Sequence, residues 1–419
     1  MLERIKEYNF WQEEEIHFGY LRSEYMDKIS GYLGNKLIKV LLGQRRSGKS
    51  YILRMIINKL ITDKVPRKNI LYINKDISAF DFINNADSLT DIINKYRLEL
   101  KPKGKIYIFI DEIQEIEKWE KVANSISQDY TQKYELFISG SNSKLLAGEL
   151  STYLSGRYIT INIYPFGFSE YLGFYHKSAS KENYLNYLQL GGIPELYNLS
   201  NQELRTNYIL SLKDSIILRD IIQRHNIREV ALLGRLIDFI IDSQSSLISV
   251  GKIVNTFSSF GIKTNQETIS TYLGYLSDVY FIHESARYDL KGKRILKGER
   301  KYYLNDLSFK NYLTSSFDRG IGKLLENAIY LHYKRQGYNI YTGVFNNKEI
   351  DFVVEMNGNK KYIQVAYTLA NEAVIEREFG NLKKIKDNYE KIVITLDDIS
   401  IGQIEGIKHQ QAWQLDNEI

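Results

Sequence analysis

Short apolar runs alternate with longer amphipathic stretches between residues 37 and 166. This alternation is typical of a parallel sheet covered by helices. Apolar residues at 3.6-residue spacing predict a helix over Ser50–Ile61 that packs on the sheet. The predicted strands are Leu37–Leu42, Asn69–Asn74, Lys105–Asp111, Glu135–Ser139 and Arg157–Tyr164. We therefore expect an α/β domain at residues 1–166.

The rest of the chain divides into three parts by pattern. Helical periodicity dominates residues 167–243, where Gly191-Gly-Ile-Pro-Glu195 marks a turn, and this predicts a helical lid. Residues 244–315 predict two short helices and then two extended segments, and residues 316–419 return to α/β alternation. Four domains are in keeping with a length of 419 residues, because one hydrophobic core rarely organises a chain of that size.

Composition places the chain among globular proteins, with 43% hydrophobic and 26% charged residues. The absence of cysteine excludes disulfides, thiolate metal sites and thiol nucleophiles. The longest apolar runs, such as Leu236 to Ile241, are far shorter than the ~20 residues that cross a bilayer. The net charge of +5 is too small to identify a nucleic-acid binder by itself. We expect a cytoplasmic protein with no membrane partner.

The segment after the first predicted strand matches the pattern G-x-x-x-x-G-K-[ST] and opens an amphipathic helix. Its glycines let backbone N–H groups curl around phosphate, and the helix N-terminus adds a positive dipole. In this pattern Lys49 reaches the β/γ-phosphates and Ser50 offers a hydroxyl to Mg²⁺. The alternative is a glycine turn that precedes a helix by chance. The predicted nucleotide-binding residues are Gly43, Gln44, Arg45, Arg46, Ser47, Gly48, Lys49, Ser50 and Tyr51.

Polar residues also follow two later strands of this domain. One apolar strand ends in Asp111 and Glu112, where acids fit only if the strand's carboxyl end opens on a polar site. We expect Asp111 to hold Mg²⁺ through water and Glu112 to polarise the attacking water. The next strand ends near Ser141 and Asn142. We expect one of these two residues to sense the γ-phosphate or to orient the attacking water. Equally, Ser141 or Ser143 could cap a helix.

Further motifs follow, namely Ser155-Gly-Arg157-Tyr158 and Phe168-Ser-Glu170-Tyr171. With the two segments above they resemble AAA+-related P-loop ATPases of bacteria and archaea, which carry a C-terminal domain of unassigned role. The resemblance implies that one strand lies between the strands that precede Lys49 and Glu112, and that Glu112 is catalytic. It also implies that Arg157 acts as a sensor or reaches a neighbouring subunit's γ-phosphate, whose spread charge suits a planar cation. The alternative for this arginine is an interdomain salt bridge.

The third part resembles a winged helix. A capping box of Thr264 and Glu267 predicts the start of its second helix. The extended segments Phe281–Leu290 and Ile295–Asn305 flank a turn with the densest basic patch in the chain. These cations could bind DNA phosphates while the second helix enters the major groove. That helix, however, has few side chains of the kinds that read bases. A protein-binding module is therefore the alternative. The basic residues are Lys291, Lys293, Arg294, Lys297, Arg300 and Lys301.

The last part resembles a restriction-endonuclease-like domain through Glu326, Asp351 and the strand with Gln364. That chemistry needs acids that hold a divalent metal and a lysine near the attacking water. Here the usual Glu-x-Lys is Gln364-Val-Ala366, in which Gln is neutral and Ala supplies no cation. Loss of nuclease activity is therefore the favoured interpretation. The candidates for a migrated lysine are Lys348, Lys360 and Lys361.

These patterns together predict an ATPase that uses ATP and Mg²⁺. Its four parts are an α/β P-loop parallel-sheet core (1–166), a helical lid (167–243), a winged-helix module (244–315) and an α/β restriction-endonuclease-like domain (316–419). We expect the nucleotide state to control a rearrangement of parts that bind duplex DNA or a protein partner. One alternative is a nucleotide-gated scaffold with a protein target only, and another is an ATP-controlled DNA nuclease. An arginine that acts on a neighbouring subunit predicts a homo-oligomer.

Overall fold

The protein forms two compact units in its computed structural model. The first comprises Met1–Ile163 and the second Tyr164–Ile419. The structure describes residues 2–12, 15–146, 154–314 and 320–418. Among these residues, every helix is too short or too polar to span a membrane.

A five-stranded parallel sheet forms the centre of the first unit, in the order β2-β3-β4-β1-β5. The strand predictions are confirmed to within two residues at each end. The strand β4 lies between β1 and β3, as the family resemblance implied. Because all strands run the same way, their carboxyl ends share one edge of the sheet. The strands are β1 Ile38–Leu42, β2 Ile70–Asn74, β3 Ile106–Asp111, β4 Tyr134–Gly140 and β5 Tyr158–Asn162.

Helices cover both faces of this sheet, so its central strands are buried. Every residue of β1 is buried, as expected of a parallel strand between two helical layers. Phe109 and Phe137, on adjacent strands, stack with their ring centroids 4.5 Å apart. The helices are α1 Leu2–Ile5, α2 Ser23–Ser30, α3 Lys49–Thr62, α4 Ala86–Leu100 and α5 Trp119–Gln128, with 3-10 turns at Lys6–Tyr8, Arg67–Asn69, Ser78–Phe80, Ile113–Glu115 and Ser143–Leu146. The predicted helix over Ser50–Ile61 thus corresponds to α3.

The second unit is helical in its first third, in agreement with the pattern after Pro165. Its helices are α6 Phe168–Tyr175, α7 Lys181–Leu190, α8 Gln202–Ser215, a π-helix at Ile216–Gln223, α9 Val230–Asp242, α10 Val250–Ser259, α11 Gln266–Asp278, α12 Ser308–Leu313, α13 Ile321–Arg335 and α14 Glu372–Lys383. Two 3-10 turns lie at Pro194–Tyr197 and Ala412–Glu418.

A nine-stranded mixed sheet crosses the second unit in the order β13-β14-β12-β11-β10-β9-β7-β8-β6. The basic hairpin β7–β8 joins the C-terminal strands through the parallel pairing of β7 with β9. One hydrogen-bonded layer therefore continues across residue 315, where the sequence predicts a boundary. The strands are β6 Leu247–Ile248, β7 Ile282–Asp289, β8 Arg294–Leu304, β9 Asn339–Phe345, β10 Lys348–Met356, β11 Asn359–Val365, β12 Glu390–Thr395, β13 Gln403–Ile404 and β14 Ile407–Gln411.

The start of α11 corrects one detail of the sequence analysis. Its cap is Asn265, whose side chain accepts a hydrogen bond from the Thr268 backbone N–H at 2.8 Å. The cap therefore lies one residue after Thr264, and the predicted capping box of Thr264 and Glu267 is wrong. Asn accepts this bond at least as well as Thr, so both were compatible with the local pattern.

Candidate nucleotide site and carboxylate cluster

The turn between β1 and α3 requires glycine at two positions, for different reasons. A Cβ atom at Gly43 would lie 2.1 Å from the Ile163 carbonyl oxygen. Gly48 has φ = +100°, a left-handed conformation that favours glycine. Ser47 is buried, and its Oγ has no hydrogen-bond partner among the described residues. The turn is thus a backbone cradle with a buried hydroxyl, and this suits a phosphate group.

Lys49 lies inside this cradle and is only 3% exposed. Its Nζ donates hydrogen bonds to the carbonyl oxygens of Gly43, at 3.1 Å, and Gln44, at 3.2 Å. The same Nζ lies 3.4 Å from Glu112 Oε1. The lysine therefore links the turn after β1 to the acid that follows β3, across the intervening strand β4.

Asp111 is completely buried at the end of β3. Its carboxylate accepts hydrogen bonds from Ser139 Oγ, from the Tyr72 hydroxyl at 3.1 Å and from Ser50. Burial, together with the neighbouring carboxylate of Glu112, raises the pKa of Asp111, although these bonds oppose the rise. Hydroxyl and carboxylate oxygens such as those of Ser50 and Asp111 are the ligands that Mg²⁺ prefers. The pair therefore fits a magnesium ion.

Glu112 occupies a left-handed backbone conformation, φ = +55°, which is uncommon for a residue other than glycine. Its backbone N–H donates to Ser139 Oγ at 3.1 Å, and its carboxylate accepts from Gln114 Nε2. Burial favours the neutral acid, but Lys49, Gln114 and Arg45 outweigh it and hold the pKa of Glu112 below its ordinary value. The carboxylate is therefore ionised at neutral pH.

Asn142 follows β4 at the same edge of the sheet and is 2% exposed. Its Oδ1 accepts a hydrogen bond from the Lys144 backbone N–H at 2.7 Å and so caps the next turn. Its Nδ2 is buried without a hydrogen-bond partner among the described residues. The cap predicted for Ser141 or Ser143 is thus made by Asn142, which keeps a donor for another group. Ser141 Oγ instead accepts from Gln114 Nε2 at 3.4 Å.

Two other residues predicted to bind nucleotide lie toward the outside of the turn. Arg46 is exposed, and Tyr51 is 45% exposed, with the Arg54 guanidinium 4.3 Å from the centre of its ring. Arg45 lies 3.8 Å from the Asp76 carboxylate and is also close enough to Glu112 to lower its pKa. The side chains of Arg46 and Tyr51 therefore differ from those of Lys49 and Ser50, which face the acids at the end of β3.

Arg157 lies at the opposite edge of the sheet. Its carbonyl oxygen accepts from the N–H of Ile38, the first residue of β1, whereas the phosphate-binding turn follows Leu42, the last one. At about 3.3 Å per residue these two ends are roughly 13 Å apart. Its NH1 donates to Asn124 Oδ1 at 2.9 Å. The structure therefore does not bring Arg157 to the nucleotide turn of its own chain, and its role as a sensor or toward a neighbouring subunit stays a prediction.

A second cluster of acids lies in the second unit, around the ammonium group of Lys301. Its Nζ is 2.8 Å from Glu326 Oε1, 2.6 Å from Glu349 Oε1 and 3.6 Å from Asp351 Oδ1. Lys301 is 3% exposed, and the Tyr303 hydroxyl also donates to Glu326 at 2.7 Å. The structure thus brings Glu326 and Asp351 together, as the sequence predicts, around a lysine from the hairpin strand β8.

The strand pairing of β10 with β11 places Gln364 beside Asp351. The Val365 backbone N–H donates to Asp351 Oδ2 at 2.8 Å, and Gln364 Oε1 is buried without a partner among the described residues. Burial raises the pKa of Asp351 to about 7, although Lys301 opposes the rise. Among the described residues, no group of three or more His, Asp or Glu is arranged to hold a metal ion.

The candidates for a migrated lysine have other surroundings. Lys360 donates to the Tyr288 hydroxyl at 3.3 Å, Lys361 pairs with Glu390 at 2.9 Å, and Lys348 is exposed at the start of β10. A catalytic role for any of the three stays a prediction. Lys301, which does lie among the acids, escapes a reading of the sequence because it is about 60 residues from Gln364 in the chain and belongs to the basic hairpin patch.

The basic patch itself is partly neutralised. Arg300 pairs with Glu284 across the hairpin, and the Lys291 ammonium lies 5.6 Å from the centre of the Phe345 ring. Lys301 is buried in the carboxylate cluster. The cations that remain exposed at the hairpin are those of Lys291, Lys293, Arg294 and Lys297.

Two parts of the chain match known domain families. Residues 35–172 match an AAA domain, and residues 181–320 match a domain of unknown function, DUF8612. Among solved structures, Cdc6p from Pyrobaculum aerophilum is 12% identical, covers 76% of this chain and 97% of its own, and has a TM-score of 0.33. AMPPCP-bound DnaA from Aquifex aeolicus is 13% identical, covers 61% and 87%, and has a TM-score of 0.31. Likenesses this distant carry no argument about this chain.

Two relatives align over most of the chain. An uncharacterised protein of Haemophilus influenzae is 32% identical over 395 residues, which are 92% of this chain and 96% of that protein. An uncharacterised protein of Methanocaldococcus jannaschii is 33% identical over 388 residues, which are 88% and 84% of the two chains. This chain therefore belongs to the same protein family as these bacterial and archaeal proteins, and its residues 35–172 match an AAA domain.

Proposed function

We propose that the first unit binds ATP with Mg²⁺ and hydrolyses it. The observation that carries the proposal is the meeting of Lys49, Ser50, Asp111 and Glu112 beside a turn whose interior is lined by backbone. These residues come from separate elements and share one edge of the sheet. A cation, a hydroxyl and two acids in this arrangement match what phosphoryl transfer to water requires.

Each group has a distinct role in this proposal. The backbone N–H groups of the turn and the helix N-terminus bind phosphate oxygens, and Lys49 exchanges its carbonyl and carboxylate contacts for the β/γ-phosphates. Ser50 and Asp111 hold the metal. The bound Mg²⁺ neutralises negative charge on the phosphates. Asn142, with its buried Nδ2, donates to the γ-phosphate or to the attacking water.

Glu112 acts as the general base in the same proposal. The hydrogen bond from Gln114 orients it and favours its ionised form, also after Lys49 has moved to the phosphate. The ion pair with Lys49 occupies this carboxylate when no phosphate draws the lysine away. Departure of Lys49 toward a phosphate therefore frees Glu112 to take a proton from water.

Calorimetric titration with ATP and Mg²⁺ tests the binding step. The wild-type protein should take up one ATP per chain, and Lys49→Ala should weaken uptake by at least ~100-fold. Glu112→Gln should bind ATP but lower the hydrolysis rate roughly 100-fold or more, because it cannot accept a proton.

The matched control is Lys59→Ala, which removes a cation from the far end of the same helix, where Lys59 pairs with Asp63 at 3.1 Å. It should bind and hydrolyse ATP as the wild type does. Undiminished ATP uptake by Lys49→Ala would contradict the proposal.

We further propose that the second unit is the part that responds to nucleotide state and that its exposed hairpin cations contact duplex DNA. The support is the group formed by Lys293, Arg294 and Lys297 at the turn between β7 and β8. A protein target is the alternative, favoured by the neutralisation of neighbouring cations such as Arg300. We also propose that residues 244–315 form a winged-helix module. We propose further that the protein forms a homo-oligomer in which Arg157 reaches the nucleotide of a neighbouring subunit.

The carboxylate cluster supports binding or assembly in place of DNA cleavage. The ammonium of Lys301 occupies the centre of Glu326, Glu349 and Asp351, where a nuclease would hold its metal. We therefore propose that residues 316–419 have a restriction-endonuclease-like fold but do not cleave DNA.

A further inference from the structure

Arg22 is a buried arginine that the nucleotide motifs do not include. It precedes α2 and is 2% exposed, and its side chain is among the largest that are fully buried in the described residues. Burial of a guanidinium is costly unless its donors are satisfied, so its contacts indicate what holds it there.

These contacts lie against the back of the phosphate-binding turn. Arg22 NH1 donates a hydrogen bond to the Ser47 carbonyl oxygen at 3.0 Å. A Cβ atom at Gly48 would lie 3.5 Å from the same nitrogen. The guanidinium carbon lies 4.5 Å from the centre of the Tyr25 ring, on the first turn of α2. The arginine is therefore held by α2 on one side and touches the Ser47–Gly48 peptide on the other.

Contact with this carbonyl fixes the orientation of a whole peptide unit. The Ser47 C=O and the Gly48 N–H belong to one planar trans peptide, so they point in opposite directions. Because Arg22 holds the oxygen on its own side, the N–H of Gly48 points away from Arg22. Gly48 tolerates this orientation because its φ of +100° is open to glycine. Because glycine has no side chain that resists rotation, we expect this peptide to rotate more freely when the arginine is absent.

We propose that Arg22 is a positioning residue for phosphate binding. It holds the Ser47–Gly48 peptide so that the Gly48 N–H and the adjoining Lys49 face the phosphates before nucleotide arrives. Preorganised donors bind more tightly because the cost of ordering them is met on folding. The inference rests on the proposed ATP site, since it assigns a role within that site to a residue about 25 positions away in the chain.

Calorimetric titration with ADP tests this role in Arg22→Met, which keeps most of the side-chain length but has no donor. The Kd should rise about 10-fold, which is about 1.4 kcal/mol, with an unchanged binding stoichiometry. Arg22→Lys keeps a cation that reaches the carbonyl less well, and its Kd should rise about 2- to 5-fold.

The matched control is Arg67→Met. Arg67 NH1 also donates to a backbone carbonyl, that of Phe10 at 3.2 Å, but away from the nucleotide turn. Its Kd for ADP should equal that of the wild type.

The stoichiometry separates positioning from folding, because a purely structural loss lowers the number of sites and leaves the Kd unchanged. A wild-type Kd in Arg22→Met would overturn the inference, and so would a lowered stoichiometry at wild-type Kd. If Arg22→Met does not fold, a wild-type Kd in Arg22→Lys would overturn it. Absence of nucleotide uptake by the wild-type protein would instead remove the proposed function itself.

Discussion

His283 is a largely buried imidazole in the second unit that no proposed activity uses. Its Nε2 donates to Asn305 Oδ1 at 2.7 Å, and its ring centroid lies 6.0 Å from that of Tyr164 and 5.9 Å from that of Tyr330. Burial lowers the pKa of His283 to about 4, and the cations of Lys334 and Arg335 contribute to the shift. The folded protein therefore keeps this histidine neutral at a pH where the unfolded chain protonates it.

The sign of the resulting pH dependence follows from proton uptake. Between the ordinary histidine pKa of about 6.5 and the lowered value of about 4, the unfolded chain binds more protons, so the free energy of unfolding falls as the pH falls. The loss is about 3 kcal/mol for this one residue. His283→Gln cannot protonate and should lack this part of the loss.

Urea unfolding of both proteins at pH 7 and pH 4 measures the difference. All other titrating groups are shared, so only the contribution of His283 separates the two pH profiles. Parallel profiles would mean that this histidine does not keep its lowered pKa in solution.

At the scale of elements, Lys301 joins three parts of the second unit. It belongs to the hairpin strand β8, and its carboxylate partners come from helix α13, through Glu326, and from strand β10, through Glu349 and Asp351. Nearby carboxylates raise the pKa of Lys301 in spite of its burial, so the ammonium stays charged. The cluster therefore contributes to holding the hairpin against the C-terminal strands.

Lys301→Met should destabilise the second unit by about 3–5 kcal/mol, because buried acids lose the cation that compensates them. The matched control, Lys297→Met, removes an exposed lysine from the same strand and should change the stability by less than about 0.5 kcal/mol. Urea unfolding followed by circular dichroism measures both. Equal free energies of unfolding for the two variants would show that the cluster contributes little to stability. The acids would then be protonated in the variant, so that no buried charge is left uncompensated.

On the scale of the whole molecule, the net charge of +5 is modest, and the location of the cations matters more than their sum. The hairpin concentrates four exposed cations at or near one turn, those of Lys291, Lys293, Arg294 and Lys297. A nucleotide-controlled protein that binds DNA through this turn should do so with an affinity that depends on both salt and ATP.

A gel shift with duplex DNA, measured across a salt series with and without ATP, tests this expectation. Replacement of Lys293, Arg294 and Lys297 by Gln should weaken binding and reduce the slope of log K against log salt by about 2 to 3, since each phosphate contact contributes about 0.9. The matched control replaces three exposed lysines of the first unit and should keep the wild-type slope. These control positions are Lys101, Lys103 and Lys118. Absence of DNA binding by the wild-type protein would favour the protein-target alternative.

The sequence by itself determined the α/β core and the location of its nucleotide turn. Parallel strands such as β1 are buried on both faces, so they form continuous apolar runs that are visible without any partner. The G-x-x-x-x-G-K-[ST] pattern is local, because its backbone curls around one phosphate and its spacing is fixed within eight residues. Asp111 and Glu112 were predictable for the same reason, as acids that end a buried strand.

Only the tertiary structure revealed the partners of these residues. Tyr72, Ser139 and Arg22 touch the turn or its acids from other elements, and nothing in their local pattern distinguishes them from ordinary core or strand positions. Lys301 shows the same limit, because the packing of β8 near helix α13 and strand β10 brings it to acids that lie 25 to 50 residues away in the chain. Local patterns report which face of an element is buried, whereas the identity of the contacting residue depends on how distant elements pack.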